Sequence, residues 1–232
     1  MAGRIYLLPV TLGGDDFSSV IPVNVIKLTK QLRFFIVEEL RSARRYLRMI
    51  DKEFPIDESN FSVLNEHTAD SEVELFLDPL YKGYDIGLMS EAGLPCIGDP
   101  GARIVALAQK KRIDVTPLSG PSSIILALIS SGFNGQNFTF NGYLPVKAAE
   151  RSMKIKELEK RSREGCTQIF METPYRNQNM FDTLVRICNN ETRLCIAADI
   201  TLTTESIKTL KISEWKNSVP SLKDRLVIFL IQ

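Results

Sequence analysis

Histidine is almost absent from this sequence: His67 is the single one in 232 residues. That scarcity disfavours a Ser–His or Cys–His nucleophile pair. The four cysteines (Cys96, Cys166, Cys188, Cys195) show no C-x-x-C spacing, so a zinc site is short of ligands and no metal is expected. They read as reduced, mostly buried thiols of a cytoplasmic protein. No apolar run approaches the ~20 residues that cross a bilayer, so no membrane partner is expected. The opening MAGRIYLLPV is too short, and too quickly broken by Pro9, for a secretory signal. Charge of one sign is lacking as well. Lys and Arg number 29 against 28 Asp and Glu, and the net charge of +1 gives no bulk drive toward nucleic acid. Neither G-x-G-x-x-G nor a P-loop occurs, which weakens any case for a nucleotide phosphate cradle. Repeats of fixed period and low-complexity tracts are missing too.

What is present is alternation. Short β-rich runs (RIYLLPV, RFFIVEE, DIGLMS, IDVTPL, QNFTFNGYL, TQIFMET, RLCIAAD, TESIKTL, DRLVIFLI) are interleaved with helical patterns such as ARIVALAQKK, PSSIILALISSG, AAERSMKIKELEKRSRE and QNMFDTLVRICN. This order predicts an α/β fold with largely parallel sheets, and the closer spacing of the last runs predicts an antiparallel portion near the C-terminus. A domain boundary is expected within TPLSGPSS (116–123). It is drawn at 118/119, giving an N-terminal α/β domain over 1–118 and a C-terminal α/β domain with a mixed sheet over 119–232.

Three turn-rich segments follow predicted strands: LLPVTLGG (7–14), SEAGLPCIGDPG (90–101) and PLSGPSS (117–123). In open parallel sheets ligands sit beyond the carboxyl ends of strands, and small residues there admit close backbone approach. Taken singly, each segment is explained by strand termination; three together point to a shared ligand site.

These segments carry a resemblance. Ser90-Glu91-Ala92-Gly93-Leu94-Pro95-Cys96-Ile97-Gly98-Asp99-Pro100-Gly101 is similar to S-D-A-G-x-P-x-I-x-D-P-G of the tetrapyrrole methylase superfamily, and within it of the ribosomal RNA small-subunit methyltransferase I family. IYLLPVTLGG resembles that family's opening strand and glycine turn. VEELR (37–41) resembles E-D-T-R, PLSGPSS resembles P-L-P-G-P-x-A, GYLP with Lys147 resembles G-[FY]-L-P-x-K, and IFMETPYR (169–176) resembles I-F-[YF]-E-[SA]-x-x-R. The resemblance runs over essentially the whole chain. It implies two α/β domains of the tetrapyrrole methylase type, S-adenosylmethionine held in a trough between them, and a homodimer. It places the cofactor at Pro9, Leu12, Gly13, Ala92, Gly93, Ile97, Ser122, Ser123 and Met171. The acceptor it implies is small-subunit rRNA or the ribosomal subunit, methylated at a ribose 2′-hydroxyl. An uncharged adenine and a sulfonium call for apolar walls and backbone hydrogen bonds, which these loops can supply. A bulky residue at position 93 is expected to block the cofactor and leave the fold intact.

The chain departs from the pattern at several positions. Glu91 replaces an Asp, Glu39-Leu40 replaces D-T, Gly14 replaces an Asn, and Ser119 replaces a proline. R-E-L-T-K is here Ala198-Asp199-Ile200-Thr201-Leu202, without a basic residue on either side of the carboxylate. These changes fall where substrate would be held. A ribose hydroxyl gains from a base within hydrogen-bond reach. The candidates are Glu172, Glu38, Glu39 and Lys147, with Arg41, Arg44 and Arg176 to hold substrate phosphates or pair with carboxylates. Glu172 is favoured because it caps a strand, although Thr173-Pro174 reads equally as a helix N-cap and N1 proline. RSARRYLR reads as the exposed face of a helix with Tyr46, Leu47 and Ile50 inward; were RNA the substrate, it would supply phosphate contacts. His67 reads as a turn residue and Trp215 as packing. Two alternatives stand beside the leading one: a methylase of the same fold acting on a tetrapyrrole or other small molecule, and a catalytically silent paralogue that keeps the cofactor pocket.

Overall fold

Ile86–Met89, the lead-in to the glycine-rich block, is buried at all four residues, as a parallel strand covered on both faces must be. In the computed structural model, which describes residues 3–232, it is β4 of a five-stranded parallel sheet. The other strands are β1 (Ile5–Leu7), β2 (Phe34–Val37), β3 (Asn60–Val63) and β5 (Val115–Pro117), in the order β3-β2-β4-β1-β5. The helices between them are α1 (Val23–Gln31), α2 (Leu40–Ile50), α3 (Asp70–Leu75), α4 (Asp78–Tyr81) and α5 (Ala102–Lys110). The period of two along β2 sorts the core. Phe35 and Val37 pack with Ala43, Tyr46, Leu47 and Ile50 of α2, whereas Ile36 packs with Ile104 and Ala108 of α5 on the opposite face. The chain therefore leaves β1 toward one face and β4 toward the other. These two adjacent strands form the switch point of the sheet, where their loops diverge.

The chain divides between Ser122 and Ser123 into two compact units. The second holds α6 (Ser123–Ser131), β6 (Phe138–Tyr143), α7 (Ala148–Arg163), β7 (Thr167–Met171), α8 (Asn177–Ile187), β8 (Arg193–Ala198), β9 (Ser206–Lys211), α9 (Ile212–Trp215) and β10 (Val227–Ile231). Its sheet runs β6-β7-β10-β8-β9; β6 and β7 are parallel and the remaining pairs antiparallel, as the spacing of the last runs predicts. Central β10 (VIFLI) is wholly buried. Phe170, Phe229, Leu194 and Ile196 pack against Ile155, Leu158, Phe181 and Leu184 of α7 and α8. Trp215 is buried in this core, edge-on to Phe181, with its indole N–H donated to the Leu194 carbonyl (2.9 Å).

The sequence places His67 at a strand-to-helix junction, which is where β3 gives way to α3, but delimits neither element, and it gives no sign of α1, α4 or α9. Strand β3 is the edge strand of its sheet and presents no alternating buried face. Helix α1 opens on VNVI, a β-branched run that resembles a strand, with Val23 exposed. Among the described residues no helix is long and apolar enough to cross a membrane.

Candidate functional site

The three turn-rich segments occupy the carboxyl ends of β1, β4 and β5 and lock into one another. Val10 N–H donates to the Gly93 carbonyl (3.0 Å) and Gly93 N–H to the Thr11 carbonyl (3.4 Å), extending the β1–β4 pairing past the strands. Gly93 has φ +70°, and a Cβ there would lie 3.0 Å from Leu12 Cδ2 and 3.1 Å from the Pro121 carbonyl oxygen. Gly120 lies against Pro9, where a Cβ would meet the proline Cβ at 2.1 Å. Protein contacts alone thus demand glycine at 93, which corrects the expectation that a bulky residue there would leave the fold untouched. Pro9, Leu12, Gly93 and Ser122 are buried in this junction, while Gly13, Ala92 and Ile97 reach the surface. The buried Tyr46 hydroxyl of α2 donates to the Pro9 carbonyl (3.1 Å), tying the helix to the first loop.

Beside this junction, at the ends of β2, β3 and β4, lies an open cleft of about 830 Å³ lined by Glu38, Asn65, Glu66, Asp99 and Arg103 among others. Glu38 accepts from the Glu91 N–H (3.3 Å). Burial, helped by the nearby charges of Asp99 and Glu91, pushes its carboxyl above the usual range, although the Glu91 N–H works the other way. Asp99 Oδ1 accepts from Gly101 N–H (2.6 Å), and its Oδ2 is buried without a partner. Glu39 is committed elsewhere. As N-cap of α2 it accepts from Arg41 N–H (2.9 Å) and Ser42 N–H (2.6 Å), which lower its pKa. Helix α2 turns Ala43, Tyr46, Leu47 and Ile50 inward and Arg41, Arg44, Arg45 and Arg48 outward. Among the described residues none of these four arginines has an ion-pair partner; Arg44 lies over the Phe61 ring at 5.5 Å. His67 is an exposed residue between β3 and α3.

In the second unit, the carboxyl ends of β7 and β8 and the start of β10 meet at one edge of the sheet. Glu172, directly after β7, has a fully buried side chain, and its Oε1 accepts from Arg176 Nη2 (2.6 Å) and Thr173 N–H (2.7 Å). Thr173 does precede a single 3₁₀ turn with Pro174 at its start, but its hydroxyl caps nothing; it too turns to Glu172 Oε1 (3.3 Å). Glu172 Oε2, Arg176 Nε and Asn177 Oδ1 are buried and unpartnered. Asp199 accepts from Arg225 Nε (2.7 Å), Thr204 Oγ1 (2.9 Å) and Leu226 N–H (3.0 Å). Burial raises its pKa, but these donors outweigh burial and hold the carboxyl below its usual range. Arg225, from outside the motif, thus supplies a cation for the carboxylate that lacks basic sequence neighbours. Lys147 is exposed and paired with Glu150 (3.2 Å). Met171 ends β7 and Ser123 begins α6.

No protein-family model matches the chain. Its sequence is 30% identical to the ribosomal RNA small subunit methyltransferase I of Vibrio cholerae, over 90% of this chain and 69% of that protein. The chain belongs to the ribosomal RNA small subunit methyltransferase I family. The family member of Pseudomonas aeruginosa is 29% identical over 95% of the chain and 74% of its own length. That of Pasteurella multocida is 25% identical over the whole chain and 80% of its own length. The solved methyltransferase CobJ superposes with a TM-score of 0.66, covering 99% of this chain and 94% of that one at 13% identity, which establishes the shared tetrapyrrole methylase fold. As a member of the ribosomal RNA small subunit methyltransferase I family, the chain is an S-adenosylmethionine-dependent methyltransferase.

The loop junction suits that cofactor. Exposed Ile97 (46%) and Ala92 offer apolar surface, Gly13 and Gly14 expose backbone at positive φ, and the adjoining carboxylates suit a cationic sulfonium and ammonium. The sequence reading passed over Asp99, Asn65 and Arg225 as site residues. Asp99 stood inside the quoted block, whereas Asn65 and Arg225 carry no local signal and enter only by folding.

The thiols bear on chemistry in one respect. Burial pushes Cys96 up to about 11, Cys195 to about 11 and Cys188 to about 12, so these remain protonated and poor nucleophiles at neutral pH. Cys188 and Cys195 are buried, while Cys96 and Cys166 are only partly so.

Proposed function

We propose that this family member transfers the methyl group of S-adenosylmethionine to a ribose 2′-hydroxyl of small-subunit rRNA. In this reading Pro9, Leu12, Gly13, Ala92, Gly93, Ile97 and Ser122 form the cofactor side of the first unit. Ser123 and Met171 are the contributions carried by the second. The observation that carries the reading is local to the first unit: Glu38 lines an open cleft at the foot of a helix whose four outward arginines form no ion pair among the described residues. Arg41 and Arg44, with Arg45 and Arg48, hold backbone phosphates without reading sequence. The acceptor hydroxyl enters the cleft and gives its proton to Glu38, whose proton affinity burial raises; bound S-adenosylmethionine would supply the methyl group to the oxygen in line and leave as S-adenosylhomocysteine.

Among the other base candidates, Glu39 is held by two N–H donors, Glu172 is clamped by Arg176, and Lys147 is paired at the surface. Glu172 and Arg176 act in this reading as a positioning pair. Homodimerisation and a cytoplasmic location complete the proposal by family resemblance; sedimentation of the purified chain tests the first. The activity is tested by labelled methyl transfer to small ribosomal subunits lacking the modification, followed by nucleoside analysis. A 2′-O-methylated nucleotide is expected; base methylation, or no transfer with cofactor binding intact, overturns the reading.

A further inference from the structure

A second cavity lies wholly within the C-terminal unit; it shares Arg225, which holds Asp199 and whose carbonyl accepts from Asn177 (2.7 Å), but does not include Glu172. It measures about 260 Å³ and is lined by Ile196, Ser206, Lys208, Trp215, Ser221 and Arg225 among others. Its floor is the edge of the sheet. Lys208 lies opposite Ile196 and Ser206 opposite Ala198 in the β8–β9 ladder, so Ser206 and Lys208 project from the same face of β9. Its wall is the segment after α9, fixed at both ends by Ser218 N–H to the Trp215 carbonyl (3.1 Å) and Leu222 N–H to Gln178 Oε1 (3.1 Å).

The donor inventory of this cavity is one-sided. Among the described residues no carboxylate lines it. Lys208 makes no ion pair among the described residues, in contrast to Lys211, later on the same strand, which is bound to Glu191 at 2.7 Å. Arg225 spends Nε on Asp199 and Nη2 on the Thr204 carbonyl, leaving Nη1. The hydroxyls of Ser206, Ser218 and Ser221 add donors from floor and wall. These donors come from both the floor and the wall, and with no carboxylate among the lining residues the cavity suits an oxyanion. At about 260 Å³ the cavity has room for a phosphoryl group.

We propose that this cavity is a phosphoryl-binding site, with Lys208 as its principal charge and Ser206, Ser221 and Arg225 as further donors. The phosphoryl group comes either from the backbone of bound RNA, which rests on the function proposed above, or from a free phosphate compound, which does not.

The test is NMR titration of the full-length chain with inorganic phosphate at constant ionic strength, following the Ser206, Lys208 and Ser221 amides. Saturable shifts confined to this cavity are expected. K208A should weaken the affinity about tenfold, equivalent to 1.4 kcal/mol. K208R should restore most of it, and K27A, at a solvated position on α1, should leave it unchanged. Lys208 is exposed, so circular dichroism of K208A should match the parent. Absence of a saturable shift, or equal affinity in a folded K208A, overturns the site. A parallel titration with single-stranded RNA separates the sources. If K208A also weakens RNA binding, the phosphoryl group is the RNA backbone; if it weakens phosphate alone, the ligand is a free phosphate compound. Neither arm depends on methyl transfer, so failure of the site and failure of the proposed reaction are distinguishable.

Discussion

Glu38 and Glu39 are sequence neighbours with opposite fates. One caps a helix and is held as a carboxylate by two N–H groups; the other faces a cleft with its proton affinity raised. If Glu38 is the base, only its ionised form accepts the hydroxyl proton, so methyl transfer should rise with pH through its elevated pKa. E38Q should lose that limb of the pH–rate profile and about 10²–10⁴-fold in kcat. An unchanged profile would return the role to another group. Tyr46→Phe removes the hydroxyl that holds the Pro9 carbonyl and should cost about 1 kcal/mol of stability, read by denaturant titration. Arg225→Ala removes the charged donor of the three that Asp199 has and should cost roughly 2 kcal/mol at neutral pH. The sign follows from the lowered pKa of Asp199. Its stabilisation is complete above the unfolded value of ~3.9 and disappears as pH falls through the lower folded value. The gap between R225A and the parent should therefore close on acidification.

At the scale of elements, α2 joins two tasks. Its inner face is core, its N-terminus grows directly out of the Glu38–Glu39 loop, and its outer face carries arginines with no carboxylate partners among the described residues. If that face grips RNA, replacing Arg44 and Arg45 by Ala should weaken binding to all RNA sequences alike. The slope of log K against log salt should fall by about 0.7–0.9 for every phosphate that is no longer neutralised. A sequence-selective effect would contradict the assignment. The loop junction behaves as an element in its own right. Gly93→Ala forces a side chain into φ +70° and against Leu12 and the Pro121 carbonyl, so it should destabilise the first unit by about 1–2 kcal/mol and weaken cofactor binding together. Thermal melting with and without cofactor reads both effects.

For the whole molecule, family membership carries methyl transfer, while the likeness to CobJ at 13% identity shows a shared fold. A cofactor that binds the folded chain alone should stabilise it by about 2.7 kcal/mol at a hundred times its Kd. For a chain of this size that is a rise in Tm of roughly 5–10 °C. No shift at saturating S-adenosylmethionine would count against the proposed cofactor loops.

Much of this was legible in the sequence because it depends on local pattern. Apolar periodicity placed α5, α6, α7 and α8 and most strands. Turn chemistry marked the three loops, and the 90–101 block carried the family. RSARRYLR declared its buried and exposed faces through a spacing that only a helix makes amphipathic. What the sequence left open depends on partners distant along the chain. Arg225 reaches Asp199 across 26 positions, Tyr46 reaches Pro9 across 37, and Glu91 reaches Glu38 across 53. Proton affinity follows burial and neighbouring charge, so tertiary structure alone could separate Glu38 from Glu39, and only the folded chain pairs Lys211 with Glu191 while leaving Lys208 without an ion pair among the described residues.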